Sequence, residues 1–319
     1  MLSGSLNAFS QSTVKDQDLP GGVETMKVAR SSADRSIHLS GDTISMHFTV
    51  YQHYPFIETT INGVKGKLMF DTGSGFDLTI NDAVIPLKNG KTTGRGFTGS
   101  GQSFETHMYD TVQTVELARR LTITNGGPIT GFDISFMNVI TSDILGMIGY
   151  KFFEGYLFKL DYKQGLITFY KNSAERQKTK DFLKGEKVIG VINFEHRKLV
   201  NIPIMPLISG SDTLAVAFDT GQLGTLFLSD DVKKHWVDKG DLILSNDGGV
   251  QVNLKSLTLP GGLKTAPGPV LLFPPKNAAD HNKAIGITET NSLTLGYGFL
   301  SQYKTVWDYE ERKIYLLQK

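Results

Sequence analysis

Apolar and β-branched residues come in strand-sized runs along most of this chain, separated by polar turn signals rather than by helical spacing. Ile44 to Tyr51 and Phe56 to Ile61 are such runs, and Asn62-Gly63 between Ile61 and Val64 marks a two-residue hairpin. Lys67-Leu68-Met69-Phe70 then leads into Asp71-Thr72-Gly73-Ser74. Further strands are expected at 121–124, 158–162 and 166–170, parted by Asn125-Gly126-Gly127 and Gln164-Gly165. A second β-rich series runs through Val188 to Phe194, Ile202 to Ile208 and Leu214 to Phe218, the last leading into Asp219-Thr220-Gly221-Gln222. Between the two series, residues 171–187 are charged with little apolar content and read as a linker. Residues 1 to about 43 hold no sustained period. The expected organisation is an extension over 1–45 (leader, propeptide or tether), one lobe over 46–180 and a second over 181–319.

The second series restates the first. Phe70-Asp71-Thr72-Gly73 returns as Phe218-Asp219-Thr220-Gly221 at an offset of 148, and at the same offset Leu78 to Val84 matches Leu226 to Val232. In that block Asn81 and Ser229 both read as helix N-caps. Leu145-Gly146 matches Leu295-Gly296 at 150, and Asp161-Tyr162 matches Asp308-Tyr309 at 147. One supersecondary plan is used twice.

Composition narrows the chemistry. With 33 Lys+Arg against 32 Asp+Glu the net charge is +1, so no bulk field favours nucleic acid. The absence of cysteine removes disulfides, thiolate metal sites and cysteine nucleophiles. The seven histidines are scattered, with no pair at metal-binding spacing, so neither a metal nor a cofactor is expected. No apolar run reaches membrane-spanning length. Ala8-Phe9-Ser10 has the small-x-small form of a signal cleavage site, which sets export to a periplasmic or extracellular compartment against a plain polar terminus. Glycine is abundant, at 34 residues, as a protein of many tight turns requires.

Asp-Thr-Gly is expected by chance roughly 0.1 times in a chain this long, so one copy is weak and two with matching flanks are not. An apolar strand delivering Asp-Thr-Gly, followed later by an apolar-apolar-Gly segment, here Ile144-Leu145-Gly146-Met147 and Leu293-Thr294-Leu295-Gly296-Tyr297, the second departing from the pattern by Thr294, resembles the aspartic peptidases from about residue 46 to 319. The compact halves look more like retropepsin-type units in tandem than like full pepsin lobes. The resemblance implies an all-β fold of two similar, barrel-like lobes related by a pseudo-twofold, with Asp71 and Asp219 catalytic at the cleft. It implies a peptide or unfolded protein as substrate, endopeptidase activity as a monomer, and, as the alternative, an inactive peptide-binding module on the same fold.

Two carboxylates about 3 Å apart cannot both ionise and share one proton, which suits them to activate a water and protonate a carbonyl. By resemblance Thr72 and Thr220 lock the two loops together, Gly73 and Gly221 make room beside the carboxylates, and the Ser74 hydroxyl supports Asp71. Gln222 departs from the Ser or Thr common at its position, leaving the support of Asp219 open. Gly94-Arg95-Gly96-Phe97-Thr98-Gly99 fits a dinucleotide-binding fingerprint, but turn-like flanks replace the strand and helix which that motif needs. Its place about 25 residues beyond Asp71 is where the resemblance puts a flap, which implies Gly96, Phe97 and Gly99 near substrate. Asn246-Asp247-Gly248-Gly249 is the corresponding hairpin of the second half.

Overall fold

A computed structural model of the chain describes residues 26–28, 37–97, 103–209, 212–245 and 248–319. Strands dominate, gathered into an eleven-stranded sheet in the first half, a seven-stranded sheet in the second, and a six-stranded sheet between them. The expected strands form where alternation and turn chemistry place them. Asn62 and Gly63 close the hairpin of Tyr54–Ile61 and Val64–Phe70 with φ of 48° and 84°, the left-handed pair a tight two-residue turn requires.

The six-stranded sheet takes three strands from each half, in the order Val188–Asn193, Lys313–Leu317, Lys304–Asp308, Tyr156–Asp161, Leu166–Lys171, Thr43–His47. Its middle pair is antiparallel, with Phe158 opposite Trp307, Lys159 opposite Val306 and Leu160 opposite Thr305. The 147-residue offset exchanges the first and last of these pairs and maps Lys159 onto Val306, so the pseudo-twofold passes between those two residues. Neither half closes its own sheet here, unlike self-contained units set side by side.

The core is correspondingly continuous across the halves. Phe70 contacts Phe158 at 5.3 Å, Phe158 stacks on Trp307 at 5.3 Å, and Trp307 meets Phe218 edge-on at 6.4 Å. Phe70 and Phe218 are the residues immediately before Asp71 and Asp219. Both loops therefore rest on one buried aromatic column, which fixes their mutual position by packing.

Three expectations need correction. The charged segment 171–187 is packed, not a loose linker: helix Ala174–Thr179 is capped by Ser173, and Phe182 is fully buried. Its Arg176 is buried, donates to Asp181 and Asp42 and to the Lys171 carbonyl, and so ties the helix to the first half. The extension is also partly built into the body, since Ile37 and Leu39 are buried in the core and Thr43–His47 is an edge strand of the shared sheet. Further upstream, Met26–Val28 pairs in parallel with the strand Leu121–Gly126. Finally, Ser229 does precede a helix, Asp230–Asp238, but Asn81 ends the strand Leu78–Asn81 and its buried amide donates to the Ile144 carbonyl instead. Among the described residues no helix is long and apolar enough to cross a membrane.

Candidate active site

Each Asp-Thr-Gly loop leaves the end of a strand that is paired in parallel with a crossing strand. In the first half Val64–Phe70 pairs with Ile144–Ile148, which also pairs antiparallel with Leu78–Asn81, and the Asp71 amide donates to the Ile148 carbonyl. In the second half Asp212–Phe218 pairs with Asn291–Leu295, which pairs antiparallel with Gly224–Phe227, and the Asp219 amide donates to the Leu295 carbonyl. The glycines equivalent in space are therefore Gly149 and Gly296. Each is followed by a tyrosine whose amide donates back to the loop, Tyr150 to the Ser74 carbonyl and Tyr297 to the Gln222 carbonyl. The Leu145-Gly146 match to Leu295-Gly296 is thus out of register. Ile148-Gly149-Tyr150 and Leu295-Gly296-Tyr297 correspond, at the 147 offset that the Asp-Tyr blocks already carry.

The loops meet at the pseudo-twofold. The Thr72 amide donates to the Thr220 hydroxyl and the Thr220 amide to the Thr72 hydroxyl, both at 3.0 Å, and the Thr220 hydroxyl donates onward to the Phe70 carbonyl at 2.9 Å. Both threonines are fully buried. Replacing Thr220 by Val keeps the shape, strands the Thr72 amide and Phe70 carbonyl, and should lower stability by about 2 kcal/mol. Thermal unfolding of the variant checks this; a Tm equal to that of wild type would show that the lock contributes nothing.

Gly73 and Gly221 carry the two carboxyls against each other. The Gly73 amide donates to Asp71 Oδ1 at 2.8 Å and to Asp219 Oδ1 at 3.1 Å, and the Gly221 amide donates to Asp219 Oδ1 at 2.8 Å. A Cβ on Gly73 would lie 2.5 Å from Asp219 Oδ2, and one on Gly221 would fall inside the Asp71 carboxylate. Each glycine makes room for the aspartate of the opposite loop. Burial pushes the Asp71 carboxyl well above the usual carboxylate range, and the charge and hydrogen-bonding reach of Asp219 push the same way, against the Gly73 and Ser74 amides. The Ser74 amide donates to the Asp71 backbone carbonyl at 3.2 Å and so holds the loop, where its hydroxyl was expected to support the carboxyl. Gln222 fills the place left open on the other side, its Nε2 donating to Asp219 Oδ2 at 2.8 Å.

Several neighbours carry no motif in the sequence. Buried Asn201 donates from Nδ2 to the Thr72 and Gly73 carbonyls at 3.0 and 2.8 Å, and its own carbonyl accepts from the Tyr309 hydroxyl at 3.2 Å. Tyr309 was legible only as half of a repeated Asp-Tyr pair. Tyr54 opens the strand Tyr54–Ile61, and its hydroxyl is held above its usual range by burial and by the charges of Asp219 and Asp71.

The glycine-rich segment is one arm of a hairpin, Lys91–Phe97 against Ser103–Tyr109. Gly99 lies outside the described residues, as do Asn246 and Asp247 of the second-half hairpin, and Phe97 is placed by its backbone only. Gly96 stands opposite Phe104, whose ring occupies the space a Cβ would take. Phe104 stacks on Phe132 at 4.0 Å, within an apolar cluster of Phe56, Met69 and Ile134 that Tyr54 borders. The hairpin is thereby anchored to the first-half sheet through an aromatic residue on the strand opposite the one the sequence singled out.

No family model matches the chain, and no curated protein matches it in sequence. Among solved structures, Basic 7S globulin from soybean is similar, with a TM-score of 0.51 at 9% identity, covering 86% of this chain and 95% of that one. At that identity the likeness is one of fold: all-β, two-lobed and pepsin-like, as in aspartic proteases. It supports a pepsin-like arrangement rather than two retropepsin-type halves in tandem, in keeping with the sheet that both halves build.

Proposed function

We propose that this chain is an aspartic-type endopeptidase, with Asp71 and Asp219 as its catalytic pair and the lobes on either side of the cleft gripping an extended peptide. The observation that carries the reading is the meeting of two carboxyls from duplicated loops, within hydrogen-bonding reach and sharing the Gly73 amide. Both come from one chain, so a monomer suffices. The ionised carboxylate takes a proton from a bound water as its oxygen attacks the scissile carbonyl, while the protonated carboxyl gives its proton to the carbonyl oxygen. The tetrahedral diol collapses as the first carboxyl passes its proton to the leaving nitrogen, the C–N bond breaks, and the second recovers a proton from a diol hydroxyl. One water is consumed, no acyl-enzyme forms, and the pair ends as it began. Gly96 and the hairpin around it are assigned to covering the substrate.

The test is incubation of the purified chain with an unfolded protein between about pH 3 and 7 in oxygen-18 water. Internal cleavage is expected, with label in the new carboxyl termini after a single turnover and inhibition by a statine-containing peptide. Binding of that peptide with no cleavage at any pH would assign the chain to the alternative, an inactive peptide-binding module.

A further inference from the structure

The two halves of the dyad are not equivalent, and the difference lies in side chains the repeat does not conserve. Asp219 accepts from three donors: the Gly221 amide and the Gly73 amide at Oδ1, and the Gln222 side chain at Oδ2. Asp71 receives the Gly73 amide at Oδ1 with help from the Ser74 amide, and among the described contacts no side-chain amide reaches it. Ser74, the counterpart of Gln222, is too short to place an amide there. The first loop is held from behind instead, by Asn201 at the Thr72 and Gly73 carbonyls, which positions the backbone and gives the carboxyl no donor.

We propose that Gln222 is a positioning residue that sets the direction of catalysis: it keeps the negative charge on Asp219, so that Asp219 is the base that activates water and Asp71 the acid that protonates the carbonyl. This deepens the peptidase reading and rests on it for the words base and acid, but the placement of the proton does not. A charge-assisted hydrogen bond to one carboxylate is strong enough to bias a proton shared by two nearly matched groups. An amide N–H can only donate, so Gln222 Nε2 favours the ionised form of the oxygen it touches.

The other titratable groups facing the pair agree with this polarity. Tyr54, Tyr162 and Tyr309 approach from the strand Tyr54–Ile61 and from the ends of the two central strands of the shared sheet, and burial holds all three hydroxyls neutral across the working range. His281, on helix Pro275–Ile285, feels the charge of Asp219. Burial keeps its imidazole neutral until below the usual histidine range, and once protonated it adds positive charge on the Asp219 side.

The experiment is carbon-13 NMR of the full-length protein labelled at aspartate carboxyls, with the two signals assigned by their loss in Asp71→Asn and Asp219→Asn, followed with pH and paired with the pH profile of kcat/KM. In the range where the pair holds one proton, wild type should show Asp219 at the shift of a carboxylate and Asp71 at that of a carboxylic acid. Gln222→Met, which keeps length and removes the donor, should spread the proton over both signals and move the acid limb of kcat/KM up by about one to two pH units. A carboxylic acid signal at Asp219 in wild type overturns the proposal, as does a Gln222→Met variant that leaves both signals and the acid limb where they were. A wild type that shows the expected signals but cleaves nothing supports the proton placement and sinks the peptidase reading, so the two failures are told apart.

Discussion

Asp71→Asn should lose hydrolysis by about 10³-fold or more and yet melt at a higher temperature than wild type near neutral pH. The loss follows from chemistry: an amide can neither take the proton of the attacking water nor give one to the carbonyl oxygen. Asp219→Asn should be as inactive. The gain follows from burial. The native Asp71 carboxyl lies well above its ordinary value of 3.8, so the folded state binds this proton more tightly than the unfolded chain does. Stability from this group is therefore full below the ordinary value, declines as pH rises through the raised native value, and stays low above it. Asn carries no charge and escapes that decline, so the Tm difference should be a few degrees at neutral pH and close as the pH is lowered through the acid range. Full activity in Asp71→Asn would end the proposed function. A variant that is inactive but less stable than wild type at neutral pH would show that the buried charge is not the burden inferred.

How far the sequence reveals this arrangement depends on whether the information is local. The hairpin at Asn62-Gly63, the strands and the duplicated Asp-Thr-Gly loops are legible because turn chemistry and alternation act over a few residues, and the repeat doubles a weak signal. Contacts across the molecule leave no such trace. Asn201 holds Thr72 from 129 positions away, and nothing around Asn201 distinguishes it from any polar residue before a strand. Arg176 sits in a stretch whose charges look solvated, and its ion pair with Asp42 exists only because the strand Thr43–His47 lies beside Leu166–Lys171. Gln222 looked like a defect in the motif and is a donor to it. The Leu145-Gly146 match failed for a related reason: apolar-Gly steps recur, and only pairing decides which one passes behind a loop.

That register makes Gly296→Ala the sharpest test of the fold around the site. Gly296 has a φ of −111°, outside the left-handed region that favours glycine. The obstacle is the loop. A Cβ would press into the Gln222 carbonyl, lying 2.7 Å from its carbon and 2.8 Å from that of Leu223, and backbone atoms cannot swing aside as a side chain can. The Tyr297 amide donates to that same Gln222 carbonyl at 2.8 Å, so relief of the clash must break the bond or displace the residue whose side chain reaches Asp219. Destabilisation on the order of 3 kcal/mol is expected, read as a lower denaturation midpoint, together with loss of hydrolysis in the fraction that remains folded. Gly149→Ala should behave alike, because its Cβ would crowd Ser74 Oγ at 2.7 Å as well as the loop carbonyls beside it. Gly155→Ala is the contrast, since nothing stands within 4 Å of that position and only its φ of +83° opposes the change, a cost of about 1 kcal/mol. If Gly296→Ala were as mild as Gly155→Ala, with activity intact, the crossing strand would not pass where it does, and the equivalence of Ile148-Gly149-Tyr150 with Leu295-Gly296-Tyr297 would fall with it.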